Sequence, residues 1–145
     1  MVVSIESWPT ANIDKRTFQH AIWTSTSRLF GDNGAATADL FLIRFEFSDG
    51  SGWGIIRTPR DALHMAKSSL ACISQINEFP IGILIKGVSG TIKTCEEKYL
   101  SDLPTSIVSK ELFFNNKLSS CFIRENSVDI KIDNDFIGAT HLDVT

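Results

Sequence analysis

The chain has 145 residues, of which 43% are hydrophobic and 21% charged, a length that fits one domain and a composition typical of a soluble globular protein. Its formal net charge of -3 lacks the basic excess typical of proteins that bind nucleic acids, so we expect no nucleic-acid partner. No apolar run approaches the roughly 20 residues that span a bilayer, and no signal peptide is recognisable, so we expect a cytoplasmic protein with no membrane partner.

The first predicted elements are a strand and a long irregular segment. Val3 and Ile5 alternate with polar residues before Pro9, a pattern that indicates a strand ended by the proline. Residues 10–38 show no sustained apolar period. Glycines and small residues at positions 31–38 predict a mobile loop rather than part of the core.

A strand and a tight hairpin follow. Apolar and polar residues alternate along positions 40–47, which predicts a half-buried strand. Asp49 and Gly50 predict the turn, because these residue types adopt the positive backbone dihedrals of a two-residue hairpin. Gly52 and the next glycine flank Trp53, which predicts a close approach of backbone or ligand there. Four residues of the strand at positions 40–47 are expected on one face of the sheet: Phe41, Ile43, Phe45 and Phe47.

Helices are predicted after the hairpin. Thr58 and Pro59 are typical of a helix start, and Pro80 is expected to end this helix. A second, short helix is predicted over residues 91–99, and a further turn or two over residues 107–114. The first of these helices carries an apolar stripe expected to cover the sheet: Leu63, Ala66, Leu70 and Ile73.

The carboxyl-terminal part returns to strands. Residues 121–124 and 128–132 are predicted to be extended, the second from its alternation of apolar and charged residues. The order of strands, helices and strands indicates an α+β fold. We therefore predict one domain over residues 1–145, with an antiparallel meander sheet, then a small helical bundle, closed by carboxyl-terminal strands.

These pieces resemble the amino-terminal capping domain of the enolase superfamily, in its mandelate racemase and muconate-lactonizing branch. The similar residues are the first strand, residues 18–21 (Phe-Gln-His-Ala) opening a long loop, and the hairpin at residues 49–54 (Asp-Gly-Ser-Gly-Trp-Gly). Ile55 stands where that family has an acid. The tail, residues 126–143, resembles the segment with which that family returns to its cap.

The resemblance implies a cap whose barrel is missing. A barrel takes on the order of 250 residues, and the short stretch between Leu103 and Cys121 leaves no room for one. The barrel carries the magnesium-binding carboxylates and the bases of that superfamily, so the resemblance implies no metal and no cofactor here. The parts that remain are those with which the cap encloses a substrate in that family: the lid loop after the first strand and the hairpin beside Trp53.

Seven residues are candidates for a site, in two roles. An imidazole, an indole, hydroxyls and a guanidinium in one segment are suited to orienting a small carboxylate-bearing ligand. The alternative is that these aromatic residues pack in the core and the arginines are solvated. Catalytic roles are assigned to His20 and Arg28, and ligand-binding roles to Phe18, Trp23, Thr24, Trp53 and Arg57.

The sequence gives little support for a metal site or for a reactive cysteine. Residues 133–138 contain two acids but lack the register of a calcium-binding EF-hand loop, so no metal site is predicted. Cys72, Cys95 and Cys121 are widely spaced and odd in number, which is typical of reduced core thiols.

Two functions from different classes stay open. The first is a stand-alone cap that binds a small organic ligand or a partner through the lid loop and the former barrel-facing surface, with a homodimer as the simplest cover for that surface. The second is a cofactor-independent isomerase, lyase or cyclase of a biosynthetic pathway, with acid and base residues in the lid-loop pocket. A partner chain that supplies a barrel is a third reading.

Overall fold

A computed structural model describes residues 1–100, 108–114, 117–123, 128–132 and 135–139. Contacts divide the chain into two compact units, Met1–Leu103 and Pro104–Thr145. The general α+β class is confirmed. The single domain over residues 1–145 stays a prediction.

The first unit contains a five-stranded antiparallel sheet with the strand order β2-β3-β1-β5-β4. Its strands are β1 (Val2–Ser7), β2 (Phe41–Ser48), β3 (Ser51–Arg57), β4 (Gln75–Ile76) and β5 (Phe79–Gly87). Its helices are α1 (Lys15–Ala38), α2 (Leu63–Ala71) and α3 (Ile92–Cys95), with a 3-10 turn at Arg60–Ala62 and a π-helical turn at Glu96–Leu100. Without the short β4, the chain order is β1-α1-β2-β3-α2-β5, a split βαβ arrangement.

The main core lies between the sheet and the two longer helices. Because successive side chains of a strand point to opposite faces, β1 serves two clusters: Val3 lies in the main core, whereas Val2 packs with Ile55 and Cys95 on the opposite face. The predicted apolar stripe of α2 is confirmed as part of this core. Large side chains that define the main core are Val3, Ile5, Phe18, Ile22, Leu42 and Leu70.

The predicted long loop that opens at residues 18–21 and the mobile loop at positions 31–38 are both wrong, because these residues belong to α1. Two buried hydroxyl residues on the core side of α1 interrupt the apolar pattern by which a helix is recognised in a sequence. Ser25 Oγ donates to the Ser69 carbonyl at 2.6 Å, and Thr26 Oγ1 donates to the Ile22 carbonyl at 2.7 Å. At the start of the predicted mobile loop the helix has a kink at Gly31, whose φ is 71°.

The hairpin is confirmed, with Asp49 at φ 51° and Gly50 at φ 77°. The side-chain pattern of β2 is partly wrong. The pairing register with β3 shifts between Leu42 and Arg44, so the strand contains a bulge that moves its first apolar residues to other faces. Leu42 is consequently in the main core, and Ile43 packs in the opposite cluster.

The predicted role of Pro80 is also wrong. The helix ends at Ala71, and Pro80 belongs to β5, a strand that the sequence analysis missed. The predicted helix over residues 91–99 is confirmed as α3 and the π-helical turn, with Thr91 accepting a hydrogen bond from the Thr94 backbone at 3.2 Å. The meander followed by a helical bundle is wrong in order, because α1 lies between β1 and β2.

The second unit is a four-stranded antiparallel meander, β6 (Val108–Phe114), β7 (Lys117–Ile123), β8 (Val128–Ile132) and β9 (Asp135–Ala139). The predicted helix over residues 107–114 is wrong, since β6 pairs with β7 from Val108 opposite Ile123 to Phe114 opposite Lys117. The two predicted terminal strands are confirmed. They form a sheet of their own rather than strands of the first sheet.

The cysteines are free thiols. Cys95 and Cys121 are buried as predicted, whereas Cys72 is exposed. Burial raises the pKa of the Cys121 thiol, which disfavours the reactive thiolate form.

We predict that Gly52→Ala destabilises the protein by about 1–3 kcal/mol. An added Cβ at position 52 would collide with the Glu46 carbonyl oxygen and lie 2.6 Å from the Phe47 Cα, so backbone would have to move. The matched control is Gly82→Ala in the same sheet, where an added Cβ meets no atom within 4 Å. Urea denaturation measures both variants, and equal stabilities would contradict the close approach.

We also predict a pH-dependent contribution from Asp14. Hydrogen bonds from Thr17, one of them from its backbone N–H at 2.7 Å, lower the pKa of this carboxyl from its ordinary value of 3.8. A lowered folded pKa stabilises the protein above the unfolded value, and this contribution is lost as the pH falls through the folded pKa.

The unfolding free energy of Asp14→Ala should therefore lie below that of the wild type at pH 7 and approach it as the pH falls below about 3.8. Urea titrations across this range measure the difference. Asp32→Ala, an exposed acid of the same helix, controls for the loss of a negative charge. A difference that stays constant with pH would contradict the capping role.

Candidate functional site

One exposed face of α1 carries a cluster of polar and aromatic side chains. Residues three and four positions apart lie on the same face of a helix. The opposite face buries Phe18 and Ile22 in the main core. We call the exposed cluster the α1 stripe: Arg16, His20, Trp23, Thr24, Ser27 and Arg28.

Trp23 is the member of the α1 stripe whose side-chain orientation is fixed by a hydrogen bond. Its indole Nε1 donates a hydrogen bond to the Leu40 carbonyl at 3.1 Å. The side chain nevertheless remains 51% exposed. The hydrogen bond fixes one edge of the ring, so Trp23 presents a rigid aromatic surface to its surroundings.

Two further side chains of α1 tie the helix to the edge strand β2. Gln19 Nε2 donates to the Leu40 carbonyl at 3.1 Å, and Gln19 Oε1 accepts from the Leu42 backbone N–H at 2.6 Å. Lys15 Nζ donates to the Ile43 carbonyl at 2.9 Å. Gln19 thus occupies the hydrogen-bonding positions that a neighbouring strand would use, and this attachment sets the position of Trp23.

The charge of the α1 stripe is positive, although the chain as a whole is acidic. Arg16 and Arg28 take part in no ion pair within the described ranges. The acids of α1 and its cap lie beyond the stripe, Asp14 before its first turn and Asp32 after the kink. Glu78 lines a hollow of about 550 Å³ together with His20, Thr24 and Arg28.

The structure brings four of the seven predicted site residues together on the α1 stripe: His20, Trp23, Thr24 and Arg28. Phe18 lies in the core, where its ring stacks on Phe45 at 5.2 Å between centroids. Trp53 packs against the cluster on the other face of the sheet. The roles first assigned to these residues depended on a lid loop that is a helix.

Arg57 lies at a second hollow of about 530 Å³ beside β3, which has an apolar lining that includes Ile55 and Ile92. Its guanidinium pairs with Asp39 at 3.3 Å and lies 5.6 Å from the centroid of the Phe41 ring. Arg57 is therefore engaged by neighbouring side chains and does not belong to the α1 stripe.

Sequence reasoning missed Arg16, Ser27 and the anchoring residue Gln19. The signal was the spacing of Arg16, His20, Thr24 and Arg28, which recur every four residues. That spacing has meaning only on a helix, and the segment was interpreted as a loop.

The part of the chain that the structure describes contains neither a candidate metal site nor a helix that could span a membrane. No group of three or more His, Cys, Asp or Glu side chains is placed to hold a metal ion among these residues. Within the same residues, every helix is too short or too polar to cross a bilayer. A cytoplasmic location and a homodimer stay predictions.

Comparison with known proteins identifies relatives. The model of the Rpp14/Pop5 family matches residues 1–100. A protein named ribonuclease P protein component 2 from Halorubrum lacusprofundi is 34% identical over 141 residues, which is 97% of this chain and 89% of the relative. A protein of the same name from Natronomonas pharaonis is 34% identical over 99% of this chain and 89% of the relative. Another from Pyrococcus furiosus is 38% identical over 61% of this chain and 72% of the relative.

These matches overturn the resemblance to an enolase-superfamily cap. The cap-like ligand-binding module and the alternative of an isomerase, lyase or cyclase are both wrong, because relatives over nearly the full length carry a different name. The expectations of a small-molecule ligand and of no nucleic-acid partner conflict with the same matches. One of the features that carried the resemblance was the Gly-Trp-Gly hairpin, in which the glycine at position 52 accommodates neighbouring backbone rather than a ligand.

We predict that Gln19→Ala destabilises the protein by about 1–3 kcal/mol, because it leaves the Leu42 backbone N–H without its hydrogen-bond acceptor. The Leu40 carbonyl keeps the hydrogen bond from the Trp23 indole. Urea denaturation measures the loss, and hydrogen exchange at the Leu42 amide should accelerate. Gln75→Ala is the matched control, since this exposed side chain makes no hydrogen bond within the described residues. Unchanged exchange at Leu42 in Gln19→Ala would contradict the anchoring role.

Proposed function

The chain belongs to the Rpp14/Pop5 family, and from this premise we propose that it is a protein subunit of a ribonuclease P. In such an assembly it associates with an RNA and with other protein subunits. The observation that carries the proposal is the similarity to proteins named ribonuclease P protein component 2, which extends over nearly the whole length of both chains.

The first unit is the part that we assign to the role shared across the family. The family match ends at residue 100, close to the end of this unit at Leu103. Within it, the sheet and its two covering helices form a rigid support, and the α1 stripe is a surface on that support. The proposed contribution of the chain is therefore binding and positioning within the assembly.

The surface chemistry of the α1 stripe supports an RNA-containing assembly. Two arginines that form no salt bridge within the described residues, a histidine, two hydroxyl residues and an exposed indole offer contacts suited to phosphate and base groups. The acidic net charge does not oppose this role, because affinity for phosphate depends on local cationic contacts rather than on the sum over the chain.

A gene replacement in Halorubrum lacusprofundi tests the proposed function. The gene for component 2 is exchanged for one that encodes this full-length chain with an affinity tag, and the purified material is assayed for ribonuclease P activity on a precursor tRNA. We expect the activity, an RNA and further proteins to purify with the tagged chain. The control is a strain that carries the tag on an unrelated protein.

Failure of a folded, expressed chain to purify with either RNA or activity would overturn the proposal. Circular dichroism of the isolated chain establishes that it is folded. Recovery of the protein partners without RNA would contradict the role in a ribonucleoprotein while leaving the family membership intact.

A further inference from the structure

We propose that the α1 stripe binds an unpaired nucleotide segment of RNA, with one base stacked on Trp23 and the adjoining phosphates bound by Arg16 and Arg28. This inference rests on the proposed function for the presence of RNA in the assembly. It goes further in naming the surface, the kind of nucleotide and the role of each side chain.

The orientation of Trp23 determines which contact it offers. Its single hydrogen-bond donor is already used by the Leu40 carbonyl, so a ligand gains nothing by accepting from the indole. The ring surface is what remains, on a side chain 51% exposed. Aromatic faces of this kind are the contacts on which proteins stack unpaired bases. The fixed ring edge also reduces the entropy lost when a base stacks.

The two arginines bracket the aromatic ring along the helix. At about 1.5 Å per residue, Arg16 lies roughly 10 Å before Trp23 and Arg28 roughly 8 Å after it. Neither guanidinium has an ion-pair partner in the described part of the chain, so both are available to phosphates. A nucleotide whose base covers Trp23 therefore has cations on either side for its backbone.

Polar groups fill the space between the arginines and the ring. His20 precedes Trp23 by three residues, and the hydroxyls of Thr24 and Ser27 follow it on the same face. All three line a shallow hollow together with Trp23 and Arg28. These side chains are suited to hydrogen bonds with phosphate and ribose oxygens, including the 2′-hydroxyl that distinguishes RNA from DNA.

The composition of the α1 stripe favours RNA over a protein partner. Protein interfaces are enriched in Trp and Arg but surround them with an apolar core, whereas the neighbours of Trp23 on the α1 stripe are histidine, hydroxyl and arginine side chains. It favours an unpaired segment over a duplex because the bases of a duplex are stacked on one another and offer no free face to an aromatic ring.

Binding to a short, fluorescein-labelled single-stranded RNA tests the contact. Fluorescence anisotropy measures the dissociation constant of the full-length chain over a series of salt concentrations. We expect Trp23→Ala to weaken binding about tenfold, the effect typical of one lost stacking contact. The matched control is Trp8→Ala, which removes an indole that is 46% exposed and outside the α1 stripe. Equal losses in both variants would overturn the proposal.

The salt dependence separates phosphate contacts from stacking. For single strands, each cationic contact contributes about 0.7 to the slope of log affinity against log salt. We therefore expect Arg28→Ala to reduce the slope by about 0.7, and Arg60→Ala, at an exposed arginine of the second hollow, to leave it unchanged. An unchanged slope in Arg28→Ala would contradict the assigned phosphate contact.

A second readout leaves Trp23 in place, in case Trp23→Ala does not fold. In a chain carrying Trp8→Phe and Trp53→Phe, Trp23 is the remaining tryptophan, since the sequence has three. Stacking of a base should quench its fluorescence saturably with the single-stranded RNA and much less with a duplex of the same sequence. No quenching at concentrations that saturate binding would overturn the proposal.

The fluorescence of Trp23 and the RNA-binding measurements also separate failure of this inference from failure of the proposed function. If the emission of Trp23 changes when the other subunits are added and not with RNA, the α1 stripe binds protein and the inference is wrong. If the wild-type chain supports ribonuclease P activity in the gene replacement while Trp23→Ala binds RNA normally, the proposed function holds and only the inference falls.

Discussion

The pairing of β1 on both of its edges is the constraint on which the first unit depends. It pairs with β3 on one side and β5 on the other, and these strands are separated in the chain by α2. The hairpin and the later strand are thereby joined into one sheet, and α1 and α2 cover the same face of it. Because β1 contributes Val3 to one cluster and Val2 to the other, both faces of the sheet are organised around this strand.

Features that depend on neighbouring residues were predictable, and features that depend on distant partners were not. The turn at Asp49 and Gly50 follows from the dihedrals these residues adopt. The helix α1 was missed because Ser25 and Thr26 interrupt its apolar stripe, and their burial is acceptable only through hydrogen bonds to carbonyls, one of them on α2. β5 was missed although its isoleucines alternate, because Pro80 was interpreted as a helix stop.

The candidate site was likewise predictable only where it depends on neighbouring residues in the sequence. His20, Trp23, Thr24 and Arg28 could be selected by residue type, but their grouping requires a helix and the orientation of Trp23 requires the distant Leu40 carbonyl. Nucleic acid was excluded on a net charge of -3, a sum that does not show where on the surface the arginine side chains lie. The enolase resemblance was carried by short matching segments, among them the hairpin motif, and such segments specify a backbone geometry rather than an activity.

The attachment of Gln19 to β2 also bears on self-association through the sheet edge. An edge strand with free N–H and C=O groups is a template on which further chains add as strands, which leads to aggregation. Here the side-chain amide of Gln19 occupies the groups of Leu40 and Leu42, and Lys15 occupies the Ile43 carbonyl. The chain therefore blocks the start of this edge, from Leu40 to Ile43, with its own side chains and leaves fewer backbone groups there for the strand of another molecule.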